Sequence, residues 1–335
     1  MISLNEILTD PEWIPHRFDG QGDRVLFAKI PFKTRRQLPF LANFEPALES
    51  ETLWVSGGDM RQVDISPAPL HFIFHTAFCR STLLVKVLDQ PGAAKGFSEP
   101  MIFNDLAAVL DNPAAQNMIA PVLKFFARPS ENGETAVIKI SNHANRLVPS
   151  LMHHQTEAKA VLLSLSLTAF LASVAKKGIE GRVWARRLYR EISVYAALEL
   201  GLSDADKMEL TDMQVAGLAW LLHQRHFALL LNSLYGERMV TLYSDQFNAC
   251  KAETLTALSG LFSFDMDEGK AEEIANSPQF SKHAKLGGDY DNIMATQAKN
   301  ASSPVVDKEI AMVEKWIDQI VAQTGLQIPI NKPFF

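Results

Sequence analysis

Hydrophobic positions along the chain form short continuous runs, separated by longer stretches in which apolar residues recur every three to four positions. Leu70-His-Phe-Ile-Phe-His-Thr76 is one such run, rich in aromatic residues, and it reads as a strand buried on both faces. From Ser81 the pattern changes: Leu84 and Leu88, and Leu83 and Val87, stand four apart, which predicts a helix closed by Pro91-Gly92. Thr135 to Ile140, introduced by Asn132-Gly133, predicts a second strand. Ala158 to Leu165 predicts a third, running into a helix over 167–177 with Gly178 as its stop. Arg238 to Tyr243 predicts a fourth, ahead of a helix near 251–263, and an earlier candidate, Arg24 to Ile30, is stopped by Pro31. Residues 183–200 and 207–235 read as long amphipathic helices, 276–304 as a polar segment, and 308–324 as a last helix. No internal repeat or low-complexity tract interrupts this order. Strands alternating with helices imply an α/β domain with a mostly parallel sheet covered on both faces, and such sheets bind ligands at the carboxyl ends of their strands. The expected organisation is one domain over 1–335 with a helical insertion at about 183–235.

Composition narrows the function classes. The 335 residues are 47% hydrophobic and 21% charged, which is globular and not disordered. A formal charge of −6 argues against a general nucleic-acid binder, which needs a basic surface, but leaves room for a local anion site. Two cysteines, Cys79 and Cys250, make no disulfide framework and suit a reducing, cytoplasmic location. The opening Met1 to Trp13 lacks the basic-then-apolar order of a secretory signal. The longest apolar stretch, Ala160 to Ala175, would span about 24 Å as a helix, short of the hydrocarbon core of a bilayer, so no membrane span is expected. His153-His154 and His223/His226 lack the spacing of a zinc site, and no metal is expected.

Chemistry concentrates after the strands. Past the first comes His75-Thr-Ala-Phe-Cys-Arg-Ser-Thr82. A helix beginning here presents unpaired N–H groups and a positive dipole end, to which Ser81 and Thr82 add hydroxyls and Arg80 a charged fork. That set suits a phosphate or a sulfate-bearing group; the alternative is that Ser81 or Thr82 is a plain helix cap and Arg80 a surface charge. There is no Gly-Lys-Ser/Thr, so this is not the phosphate loop of an ordinary ATPase or GTPase. Ile138-Lys-Ile-Ser-Asn-His-Ala-Asn145 ends the second strand. Lys139 there suits a departing phosphate oxygen, and His143 suits proton removal from an alcohol. Equally, the pair reads as an edge-strand charge and a loop hydrogen-bonder.

The stretch from Phe72 to Leu84 resembles the opening motif of bacterial sulfotransferases, in which a strand leads to an Arg-Ser-(Gly)-Thr turn and a leucine-rich helix. Phe97-Ser-Glu-Pro100 is similar to that family's Glu-Pro, and the Lys139 segment is similar to its Lys-Thr-His. The resemblance implies a three-layer α/β/α fold of the P-loop, sulfotransferase type with a large helical portion. It also implies 3′-phosphoadenosine-5′-phosphosulfate (PAPS) as co-substrate and sulfuryl transfer to a hydroxyl or amine of a small-molecule acceptor. By resemblance Arg80, Ser81 and Thr82 hold the 5′-phosphosulfate, Lys139 stabilises the leaving group and His143 is the base. Ser173 takes the place of the serine that holds the 3′-phosphate. The arginine of that site is replaced by Leu165, however, so its charge falls to the late loop, with Lys282, His283 and Lys285, or to Arg187 or Arg190. The departure keeps two alternatives open: a phosphotransferase or nucleotide hydrolase, and a degenerate member that binds without catalysing.

Overall fold

The structure is a computed structural model that describes residues 3–46, 51–130, 133–281, 303–328, 330 and 332–334. It opens with α1 (Leu4–Thr9) and an antiparallel sheet in the order β1 (Trp13–Asp19), β2 (Arg24–Lys29), β3 (Thr52–Ser56), with α2 (Phe32–Gln37) before β3 and α3 (Gly57–Gln62) after it. The strand expected over 24–30 is therefore the middle strand of a separate sheet. Its neighbours were not legible, because β1 carries Pro15, His16 and Arg17 within its run and bulges between Pro15 and Arg17.

The central sheet has five strands: β4 (Leu70–His75), β5 (Ala94–Ser98), β6 (Thr135–Lys139), β7 (Ala160–Ser164) and β8 (Met239–Tyr243). They lie in the order β5-β6-β4-β7-β8 with every pair parallel. All six residues of β4 are buried, His71 and His75 included, in keeping with its nearly continuous apolar run. Alternate residues serve opposite faces: Phe72 and Phe74 join one core with Ile138 and Leu162, while Ile73 joins the other with Val137, Val161 and Leu163. β5 was not expected. Ala94-Lys-Gly-Phe-Ser98 has no β-branched residue, and it is a strand because β6 pairs with it from Ala94↔Thr135 to Ser98↔Lys139. Gly96 is required there, since a Cβ would stand 2.6 Å from the Val85 carbonyl oxygen of the covering helix.

Between the strands run α4 (Ser81–Leu88), then α5 (Met101–Ala108) and α6 (Pro113–Phe126), then a 3₁₀ turn (Asn142–Leu147) and α7 (Val148–His154). After β7 the chain forms α8 (Leu167–Lys176), α9 (Gly178–Ala196), α10 (Asp204–Glu209) and α11 (Asp212–Leu231), which cover the segment expected as a helical insertion. α12 (Ser244–Ala249), α13 (Lys251–Phe262), α14 (Glu268–Ala275), α15 (Pro278–Ser281) and a final helix (Pro304–Thr324) follow β8. Helices thus line both faces of a parallel sheet, the α/β class read from the sequence. Among the described residues no helix is long and apolar enough to cross a membrane. From β4 the chain crosses to β5 on one side, whereas from the adjacent β7 it moves outward to β8 on the other. The crevice of the sheet therefore opens at the carboxyl ends of β4 and its neighbours.

Candidate functional site

At the end of β4 the turn from Thr76 to Arg80 contains no glycine, yet Ala77, Phe78 and Arg80 have φ of +75°, +57° and +61°. Left-handed backbone costs a non-glycine residue about 1–2 kcal/mol, and such strain persists where the surroundings enforce it. Backbones that alternate in hand also form anion-binding concavities. The helix α4 starts at once, with Arg80 in the cap position and Ser81 and Thr82 both 4% exposed. Among the described residues no oxygen accepts from the Thr82 or Leu83 N–H, so the first turn keeps its unpaired donors. Cys79 is wholly buried, with the Ser81 N–H and hydroxyl directed at its sulfur. Burial pushes the thiol up in spite of the nearby Lys139 charge, which leaves it protonated and inert.

Lys139, the last residue of β6, is 0% exposed and projects its ammonium into this corner. Its Nζ donates to Thr82 Oγ1 at 3.3 Å, forms an ion pair with Glu99 and lies 4.9 Å above the Phe40 ring. Glu99 follows β5 with φ +48° and is pinned at both backbone ends: its N–H donates to the Lys139 carbonyl at 2.7 Å, and its carbonyl accepts from Ala42 at 3.0 Å. Burial by itself would raise the Glu99 carboxyl. The Lys139 charge, with the hydrogen bond from His75, outweighs it and holds the group well below the usual carboxylate range. His75 Nδ1 accepts from the Ala77 N–H at 3.1 Å, so the other ring nitrogen, 3.6 Å from Glu99 Oε1, carries the proton. One anionic and one cationic side chain are therefore ordered beside the open helix end.

His143 stands on the 3₁₀ turn that follows β6. Its Nδ1 pairs with Glu191 Oε2, and its Nε2 accepts from the Trp184 indole N–H at 3.0 Å. Trp184 and Glu191 are seven residues apart on α9, two turns along one face. The Trp184 ring also packs at 5.0 Å from the Phe78 ring of the turn, joining the His143 side of the site to the anion side.

The sequence-predicted residues separate into groups. Thr82 and Lys139 converge, whereas the Ser81 hydroxyl turns to the Cys79 sulfur. Arg80 does not point into the same corner: its guanidinium donates to Asn248 Oδ1 on α12 and, at 3.3 Å, to the Phe280 carbonyl on α15. Ser173 lies in the interior of α8, where its hydroxyl donates to the Ala169 carbonyl at 2.8 Å, and the amino end of that helix is capped by Ser166. Leu165 is 3% exposed. Lys282, His283 and Lys285 lie outside the described residues. Sequence reasoning quoted Glu99-Pro100 without giving Glu99 a role, and it missed Trp184 and Glu191, whose seven-residue spacing on a helix was the available signal. His223, one of the histidines without zinc-site spacing, is fully buried.

No protein-family model matches the chain, and no curated protein does. Among solved structures, a sulfotransferase domain from the curacin biosynthetic pathway is 14% identical, with 79% of this chain and 100% of that domain covered and a TM-score of 0.39. Mouse sulfotransferase SULT7A1 complexed with PAP is 11% identical, with 78% and 90% covered and a TM-score of 0.39. Likeness at this level leaves function to be argued from the chain's own residues.

Proposed function

We propose that this chain is a sulfotransferase-type enzyme that moves a sulfuryl group from PAPS to a hydroxyl or amine of a small-molecule acceptor. The observation that carries the reading is the buried Lys139–Thr82 contact in the first turn of α4, where a full positive charge meets N–H donors with no acceptor among the described residues. The 5′ end of the donor fits this corner, with the Thr82 and Leu83 N–H groups as its seat. For the 3′-phosphate the described residues near α8 offer apolar Leu165, hydroxyls of Ser166 and Ser173 bonded within the helix, and the Thr168 hydroxyl bonded to Glu314. Lys282 and Lys285 are the proposed source of charge for it.

When bound, the donor supplies an activated sulfuryl group whose bond to the phosphate oxygen breaks as the bond to the acceptor oxygen or nitrogen forms. Lys139 has three N–H donors, of which Glu99 and Thr82 take two. The remaining one serves the charge that builds on the departing phosphate. Glu99 keeps this ammonium aligned before the anion arrives. His143 is the proposed proton acceptor: Glu191 holds the proton on Nδ1 and so leaves the lone pair on Nε2, the tautomer a base needs. In this structure the Trp184 N–H occupies that lone pair, standing where the acceptor's O–H would donate.

The apolar Leu165 favours one second reading, transfer from a nucleotide that lacks a 3′-phosphate. A thermal-shift panel separates the two. Stabilisation by PAPS or its 3′,5′-bisphosphate product, and not by ATP with magnesium or GTP, supports sulfuryl transfer. Stabilisation by ATP with magnesium alone replaces it with phosphoryl transfer, and a response to none of these ligands sinks both.

A further inference from the structure

The outer side of α9 is apolar where a surface helix is ordinarily polar. Ala185, Leu188, Ile192 and Ala196 are buried, and α9 packs on α8 and α11, which meets the packing need of an amphipathic helix. Ile179, Val183 and Val194 are apolar as well, yet they are 78%, 57% and 70% exposed. At 3.6 residues per turn these three and Arg190 fall within a sector of about 60°, along a ridge about 22 Å long. Arg186 and Arg187 border the ridge on its two sides. Arg186 is held by Asp212 and the Leu210 carbonyl, whereas the exposed Arg187 and Arg190 form no ion pair among the described residues.

The apolar patch continues onto the final helix (Pro304–Thr324). Arg182 of α9 bridges to Glu309 of that helix at 2.9 Å. Val305 and Met312, 76% and 62% exposed, stand four positions before and three after Glu309, on its side of the helix. Ile179 and Val183 flank Arg182 in the same way. Four exposed apolar side chains thus gather about one interhelical bridge, and Val194 extends the ridge. Scattered exposed apolar residues are ordinary, but a contiguous patch with a polar rim marks an interaction surface.

Charge selects the occupant. Between Lys176 and Ala197 stand six cations, Lys176, Lys177, Arg182, Arg186, Arg187 and Arg190, against only Glu180 and Glu191, in a chain whose formal charge is −6. A ridge of aliphatic side chains among arginines matches the boundary of an anionic bilayer, where apolar groups enter below the headgroups and guanidinium groups meet the lipid phosphates. A second copy of the chain matches less well, because a two-fold contact on this face would set Arg187 and Arg190 against their own counterparts. The aliphatic residues also stand out along a helix ridge, whereas a docking peptide needs a groove.

We propose that the outer face of α9, continued by Val305 and Met312, docks peripherally on an anionic phospholipid surface. The inference does not depend on the transfer reading. α9 also carries Trp184 and Glu191, so the helix that docks is the one that holds His143.

The test is co-sedimentation of the full chain with phosphatidylcholine vesicles that hold or lack phosphatidylserine, at low and at physiological salt. Binding is expected only where phosphatidylserine is present and weakens as salt rises, because the attraction acts within a Debye length. Arg187→Gln and Arg190→Gln should each weaken it about fivefold, and Ile179→Ser with Val183→Ser about tenfold or more. Lys33→Gln, an exposed charge on α2, should change it by less than about twofold. All these positions are exposed, so the variants should melt with the parent. Failure to bind either vesicle, equal binding to both, or variants that bind like the parent would overturn the proposal. So would a dimer, seen by light scattering, that Ile179→Ser with Val183→Ser breaks, since the face would then belong to a second copy. Stabilisation by PAPS in a chain that ignores vesicles sinks the docking alone, and the reverse result sinks the transfer reading alone.

Discussion

Two buried ion pairs lie on either side of β5, and burial acts on them in opposite ways. Arg35 and Asp89, 5% and 6% exposed at the side chain, meet at 3.3 Å, and Arg35 also donates to the Gly96 carbonyl and lies 4.8 Å over the Phe97 ring. Burial lowers the Arg35 guanidinium and raises the Asp89 carboxyl, so desolvation outweighs attraction on both partners. Around Glu99 the attraction of Lys139 and His75 outweighs burial instead. The first pair ties α2 and α4 to the sheet and is closed by backbone and aromatic neighbours. The second stands at the carboxyl edge beside an uncapped helix end, with a lysine donor still to be used. The contrast separates a pair closed off inside the fold from a pair placed at the edge of the sheet, where the proposed function puts the donor.

Several experiments would break or sharpen that contrast. Removing the ammonium with Lys139→Met should cost the most: about 10²–10³-fold in kcat, together with about 3–5 kcal/mol of stability from the Glu99 carboxylate left buried with His75 as its remaining partner. Urea unfolding and a transfer assay read the two losses. Adding Glu99→Leu should restore most of the stability and none of the activity. If activity returned as well, the ion pair would be structural only. His143→Ala should lower kcat by about 10²-fold or more with little change in stability. Arg35→Met should cost about 1–3 kcal/mol, less than Lys139→Met, and leave kcat unchanged.

Smaller effects come from Trp184 and from acid. Trp184→Phe keeps a ring against Phe78 and removes the N–H that competes for His143, so the acceptor KM should fall while kcat holds; a rise in KM would place the indole in the acceptor site. In acid the two carboxyls pull in opposite directions. Glu99 is depressed in the folded state, so its stabilisation is present above the ordinary carboxylate range and is lost as pH falls below it. Asp89 is raised, so the folded state binds its proton first and gains relative stability as pH falls toward that range. Glu99→Gln should therefore flatten the acid loss of stability, and Asp89→Asn should steepen it, in melts taken from neutral pH down to about pH 2.5, below the ordinary carboxylate range. Parallel curves for the two variants would refute the assignment.

The legible parts of this molecule are those where neighbouring residues in the chain carry the signal. β4, β6, β7 and β8 announce themselves as apolar runs, and the residues at the end of β4 and β6, Ser81, Thr82 and Lys139, could be named because chemistry in parallel sheets collects at strand ends. The side-chain direction of Arg80 was not legible, since Asn248 and Phe280, its acceptors, are 168 and 200 positions away. The same holds for Glu191, which fixes the His143 tautomer from a helix 48 residues on.

By itself the amino-acid order determined the alternation of strand and helix, the sheet class, and the helix that opens straight after the β4 turn, because backbone periodicity and helix-end polarity are local properties. Only the tertiary structure decided that Ala94–Ser98 is a strand and that Lys139 is paired with Glu99. Those outcomes depend on partners distant in sequence, and the balance between burial and pairing that sets their chemistry exists only once the elements have packed.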